Sequence, residues 1–211
     1  MTGLTLAEGI DRLESRARVA QIVVSVTIAG YAAMTVTGVL EYFRMVDYEA
    51  AQLSLLSMIA VGAGLIQVTA FLASIVVVAM WINRAHANLT EAGYVKQFTP
   101  GWAVGWFFIP IANLFQPFRA MRELWNLSHC EPDSPHDVAA PQLSVWWGAW
   151  IVGSVLSNFG SREVSGEARF ELLVGCAGSV ALGICAWYLR TIILQVTAAQ
   201  RSMVGVADTF A

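Results

Sequence analysis

From Leu53 to Ile82 the chain runs for 30 residues without a charged side chain. As a helix rising about 1.5 Å per residue, that run measures about 45 Å, against a hydrocarbon core about 30 Å thick. It therefore predicts a membrane-crossing helix that tilts or protrudes from the bilayer. Composition supports this. Of 211 residues, 57% are hydrophobic and 13% are charged, whereas soluble domains carry about 25% charged residues. Disorder needs the opposite balance, and so few charges cannot clothe a soluble globule. The class this leaves is an all-α, multi-pass membrane protein.

Three more apolar stretches follow the same logic, at 19–40, 143–159 and 170–189. The expected fold is a bundle of four transmembrane helices in a single integral membrane domain, 1–211. A Pro-kinked re-entrant or interfacial segment at 100–127 and amphipathic surface helices complete it. The first stretch is too long for a signal-peptide core. Before it, Leu6, Ile10, Leu13 and Ala17 recur at helical spacing, and Thr5 with Glu8 forms a capping box. Residues 1–18 thus read as an amphipathic lead-in on the membrane surface. The last stretch continues as helix past Arg190.

The segment Trp102–Phe115 differs. Its 14 residues are apolar or Gly except Asn113, and Pro110 interrupts them. Such a run is too short to cross. Thr99 and Pro100 suit an N-cap and first helical position. The pattern predicts a short helix from Pro100 to about Ile109, a break through Asn113, and a second helix from near Pro117. On that second helix Phe118, Met121 and Trp125 share one face, and Arg119, Arg122, Glu123 and Asn126 the other.

Charge placement fixes an orientation. With four spans, both termini and 83–142 share one compartment. They hold nine of the twelve Lys and Arg residues, leaving Arg44, Arg162 and Arg169 opposite. The Lys/Arg excess marks the cytoplasmic side, so both termini are expected there. A crossing at 100–127 would give a weaker seven against five. Trp81, Trp102, Trp106, Trp125, Trp146, Trp147, Trp150 and Trp187 all fall toward the same face, as an interfacial belt or an aromatic-lined cavity.

Small residues mark packing faces: Ala60 with Gly64, and Gly175, Ser179 and Gly183 on one stripe. The stripe also suits a homodimer. Cys176 and Cys185, nine residues apart, fall on opposite helix faces and cannot pair; with Cys130 they read as free thiols. The net charge of −3 and the lack of a basic stripe argue against nucleic acid.

Two strings stand out: W-I-N-R-A-H-A-N-L over 81–89, and F-T-P-G-W-A-V-G-W-F-F-I-P-I-A-N-L-F-Q-P-F-R-A-M-R-E-L-W over 98–125. They resemble the bacterial membrane family called domain of unknown function 4328, common in actinobacteria. The resemblance implies a multi-pass protein of the bacterial cytoplasmic membrane. It implies no activity.

The polar residues of the strings are the candidate lipid or ligand site: Arg84, Asn88, Asn113, Arg119, Arg122 and Glu123. Arg84 and Asn88 share a helix face. Asn113 either satisfies backbone freed by the prolines or lines a site. The arginines either hold anionic lipid headgroups or snorkel, with Glu123 as partner. Trp102, Trp106 and Trp125 are the candidate aromatic cavity. His86 reads as a solvated histidine at a helix end. The loop with His129, Cys130, Glu131, Asp133 and His136 matches no zinc spacing, so no metal is assigned.

No nucleophile elbow, H-E-x-x-H or P-loop is present, so no catalytic residue and no cofactor is implied. Apart from Glu171 at the very start of the last, no span holds a carboxylate, which weighs against proton coupling. The leading functional class is a membrane-embedded interaction or scaffold module. A small transporter or channel built on the re-entrant segment, and an enzyme acting on a lipid-linked substrate, are the alternatives. The expected partners are the bilayer, an anionic lipid, and a second copy or another membrane protein.

Overall fold

The computed structural model describes residues 5–50, 52–129, 140–160 and 168–207. Six helices make up the fold, with no strand among the described residues. They are α1 (Leu6–Tyr42), α2 (Leu55–Glu91), α3 (Pro100–Gly105), α4 (Gln116–His129), α5 (Pro141–Gly160) and α6 (Ala168–Ala207). Helices α1, α2 and α6 are long and apolar enough to cross a membrane. Helix α5, at 20 residues, is not among them.

The capping box forms as its spacing predicts. Thr5 N donates to Glu8 Oε2 at 2.9 Å, and Glu8 N donates to Thr5 Oγ1 at 3.3 Å. The lead-in is not a separate surface helix, however. It continues without a break into the rest of α1. Its apolar stripe, Ile10, Leu13 and Ala17, is buried in protein, and that burial removes the reason to lie on lipid.

Helix ends follow local chemistry. Gly93 has φ +83; its N–H bonds Thr90 O at 3.0 Å, and Tyr94 N bonds Leu89 O at 3.0 Å. That pair of bonds is a Schellman cap, which needs a left-handed residue. Helix α1 ends the same way on Arg44, with φ 58, although a side chain is strained there. Thr99 Oγ1 caps α3 by accepting from Trp102 N at 3.3 Å. Beyond α3 the chain tightens into 3-10 turns at Trp106–Phe108 and Ala112–Leu114, flanking Pro110. This is the helix, break and helix expected from the prolines.

The chain divides into two compact units. The first comprises 1–22, 75–144 and 190–211; the second comprises 23–74 and 145–189. In the second unit large apolar side chains point outward, among them Met58, Leu65, Ile66, Leu72 and Val152. Its interior holds small and polar residues, Ala60, Ala70, Thr27, Ser57 and Gln67, beside a few large ones, Val24, Val46, Trp146 and Trp147. Outward apolar and inward small or polar residues are what packing in lipid selects. Helices α5 and α6 approach closely: a Cβ on Gly178 would lie 2.5 Å from Ser157 Oγ and 2.7 Å from Ser157 N. Of the stripe Gly175/Ser179/Gly183, Gly175 faces Gly160 and Gly183 faces Tyr31, while Ser179 and Gly183 line an apolar groove with Ile28 and Trp187.

The first unit is built on a conventional buried core. Leu13, Trp81, Leu89, Leu124, Ile192 and Ile193 are fully enclosed. Trp81 Nε1 donates to Thr197 Oγ1 at 3.1 Å. Trp125 is 5% exposed and stacks on His129 with ring centroids 3.9 Å apart. These two indoles belong to the interior and not to an interfacial belt.

Candidate functional site

The polar residues singled out from the sequence separate into two places. Arg84 and Asn88 lie in a buried network. Arg84 Nε donates to Asn88 Oδ1 at 2.7 Å, and its guanidinium forms an ion pair with Glu91. Residues 84, 88 and 91 occupy one face of α2 by the i, i+4, i+7 rule. Asn88 Nδ2 donates to Gln200 Oε1 at 3.0 Å. Gln200 Nε2 in turn donates to Ala85 O and to Ser128 Oγ, each at 3.1 Å. Helices α2, α4 and α6 are thereby joined through one glutamine with 0% exposure.

Helix α1 closes the network with Gly9. A Cβ there would sit 2.6 Å from Asn88 Oδ1, 2.7 Å from Arg84 Nη2 and 2.8 Å from Glu91 Oε2. Arg16 Nη1 donates to Met80 O at 2.7 Å, and Arg201 pairs with Glu14 at 3.3 Å. Glu91, Gln200, Ser128 and Gly9 were not singled out from the sequence. Glu91 was findable, one turn beyond Asn88 on the same face. Gln200 and Gly9 become significant only once α1 and α6 are brought to α2.

Glu123 has a different role from the one expected. Its carboxylate accepts from Phe98 N at 3.1 Å and from Gln97 N, so it pins the strand of chain entering α3. Arg84 takes Glu91 as its partner instead. Lys96 lies near Glu123; burial lowers its pKa, against the pull of that carboxylate. Lys96 Nζ is enclosed without a hydrogen-bond partner among the described residues. His86 is not a solvated helix-end residue. It is 0% exposed, because α2 runs on to Glu91 and α4 covers it. Its ring lies beside the Ala120 backbone, with neither nitrogen in hydrogen-bonding geometry.

The second place is a cavity of about 310 Å³ lined by Gln97, Thr99, Trp102, Trp106, Gln116 and Arg119, with Phe98. Trp102 and Trp106 form one wall, their ring centroids 4.9 Å apart. Arg119 is exposed, and its guanidinium has no partner among the described residues. Gln116 Oε1 is buried and unpartnered. Asn113 Oδ1 is likewise enclosed without a partner, while its N–H bonds Ile109 O at 2.7 Å. Trp125 does not line this cavity, and Arg122 is exposed on α4. Next to the cavity, Phe108, Ile111, Leu114 and Phe115 project as an exposed apolar tip.

A family model described as Domain of unknown function (DUF4328) matches residues 44–201. The chain belongs to this family. The match begins just after α1 and takes in both strings of the sequence and nearly all of α6. Within the DUF4328 region lie Arg84, Asn88, Glu91, Ser128 and Gln200, and also the whole cavity; Gly9 and Glu14 of α1 lie outside it. No curated protein and no solved structure matches the chain. Of the histidine and cysteine loop, residues 130–136 fall outside the described residues, as do Arg162 and the rest of 161–167.

Proposed function

We propose that this DUF4328 protein is a four-span interaction module of the bacterial plasma membrane. Both termini face the cytoplasm, and 100–127 lies at the interface without crossing. The observation that carries this reading is the internal use of the motif's polar groups. Arg84, Asn88 and Glu91 bond to each other and to Gln200, so they build a platform and leave no reactive set. A polar group this buried is stabilising only when paired. The unpartnered features face outward, as an apolar tip and a cavity with an arginine at it.

Topology is supported by the same contacts. The end of α6 bonds to the end of α2 and to α4, which fits α2, α4 and α6 meeting on one side of the bilayer. The first compact unit holds nine of the twelve Lys and Arg residues, as the cytoplasmic side should. An α5 of modest hydropathy then crosses as a partner to α1, α2 and α6, its Gly153 and Gly160 set against α6.

Single cysteines at Glu49, Tyr94 and Ser134, in a background without native cysteines, test the topology. An impermeant thiol reagent should label position 49 on intact cells, and positions 94 and 134 only after permeabilisation. Labelling of position 134 from outside breaks the four-span reading. The interaction role predicts a stable assembly when the gently extracted protein is weighed by native mass spectrometry. A monomer free of any partner removes that role.

A further inference from the structure

We infer that the Trp102/Trp106/Arg119 cavity holds the phosphate of an anionic glycerophospholipid whose chains run along the exposed apolar tip. The inference deepens the reading above and rests on the interfacial placement of 100–127.

Charge comes first. Among the described residues that line the cavity, Arg119 carries the only formal charge. The nearby Glu123 carboxylate is already occupied by two backbone N–H groups. The site therefore offers an exposed cation, while the Glu123 carboxylate beside it is turned to the backbone N–H groups of Gln97 and Phe98. It suits an anion, and it offers nothing to a choline or ethanolamine ammonium beyond an aromatic wall. A guanidinium fork matches phosphate oxygens in a bidentate way.

Unmet hydrogen-bonding capacity comes second. Gln116 Oε1 is buried with no partner, and a buried acceptor without a donor costs free energy. Amide oxygen and nitrogen are interchangeable by a flip, so Gln116 can take a hydroxyl or give to a phosphate oxygen. Thr99 Oγ1 accepts from Trp102 N, and its own O–H remains to donate. A phosphate carrying a hydroxylated headgroup, as in phosphatidylglycerol, meets all three.

Size and surroundings decide between a lipid and a soluble phosphate. About 310 Å³ is the lower end of ligand sites, which run from about 300 to 1,000 Å³. It takes a headgroup and not acyl chains. Chains have an adjacent path: Phe108 is 67% exposed, Ile111 77% and Phe115 62%. Tryptophans at the mouth suit the headgroup level. A soluble phosphate would have no use for that tip.

The test uses the full chain in detergent, titrated with phosphatidylglycerol or phosphatidylcholine and read by native mass spectrometry. Phosphatidylglycerol should be retained in preference. Arg119→Gln should weaken that retention about tenfold, the loss expected when one charge-assisted contact goes, and should leave phosphatidylcholine unchanged. Gln116→Leu should weaken it about threefold, and Arg12→Gln should not. Equal retention of the two lipids, or an unaltered Arg119→Gln variant, overturns the inference. Displacement of phosphatidylglycerol by millimolar glycerol 3-phosphate assigns the site to a soluble phosphate and overturns the lipid source. Arg119 is exposed and has no partner among the described residues, so its variants should melt with wild type; Arg119→Lys, keeping the charge without the fork, should fall between the two in lipid retention. A failed topology, by contrast, appears as outside labelling at position 134 whatever the lipid result.

Discussion

The two compact units solve opposite problems. The unit made of 23–74 and 145–189 has apolar surface and is held by close approach of small residues. The unit made of 1–22, 75–144 and 190–211 has an apolar core crossed by a polar network, Arg84–Asn88–Gln200 with Glu91. In lipid, burying apolar surface gains little, and packing without gaps is what remains. Where water is available outside, burial drives association, and buried polar groups specify which partners meet. The comparison predicts that the unit with the apolar surface fails when volume is added and the unit with the polar network when a polar partner is removed.

The largest effect should come from the network. Arg84→Met removes the partner of Glu91 and one partner of Asn88 while keeping much of the volume. Breaking a buried pair on one side costs about 3–5 kcal/mol. Glu91 retains 26% exposure, so the lower end, about 3 kcal/mol, is expected. Unfolding in mixed micelles, followed by circular dichroism, reads this. A loss under about 1 kcal/mol would mean the pair is no stronger than a surface salt bridge and the network is not what holds the unit.

Close approach in the other unit ranks next. Gly178→Leu places a side chain where Ser157 backbone already sits, and overpacking of this kind costs about 1–3 kcal/mol. Gly148 has nothing within 4 Å of an added Cβ. Gly148→Ala should therefore be neutral, or stabilising by up to about 1 kcal/mol through helix propensity. Equal effects at the two glycines would end the argument that helix contact, and not propensity, decides stability there. The cap of α1 sharpens it further. Arg44 sits at φ 58 where glycine is favoured, so Arg44→Gly should stabilise by about 1 kcal/mol.

What the sequence made legible follows the physics each region obeys. The apolar runs gave α1, α2 and α6, because length and lack of charge suffice to specify a helix in lipid. Prolines and Thr99 gave the interrupted 100–127 segment, since proline geometry is local. Trp102 and Trp106 were singled out as aromatic candidates and Arg119 as a polar one, and one cavity brings the three together without Trp125. The network was half legible. Arg84 and Asn88 were visible as a pair, but Gln200, which Asn88 bonds, lies 112 positions along the chain, and Ser128, which Gln200 bonds in turn, lies 40 positions from Asn88. His86 was misread as solvated because nothing local indicates that α4 covers it. Long-range packing, and not composition, decides those positions.

The smallest effect sits at the start of α1, where the first unit begins with a cap open to solvent. Hydrogen bonds from the Thr5 backbone and hydroxyl hold the Glu8 carboxyl below its ordinary pKa, against a small opposing effect of burial and with help from Arg12. A carboxylate with a depressed folded pKa contributes stability above its unfolded pKa and loses it as the pH falls through the folded value. The first turn should therefore be firm at neutral pH and fray below the usual carboxylate range. Hydrogen exchange over residues 5–12, corrected for intrinsic rate, should rise on acidification in wild type. Glu8→Ala should show the raised exchange already at pH 7, whereas Glu8→Gln, which keeps a capping acceptor, should stay protected and lose its response to acid. The Arg84 network lies behind this turn with its own partners, so its amides should not follow. If they do, the lead-in and the network open as one element, and the polar unit is a single cooperative structure from Thr5 onward.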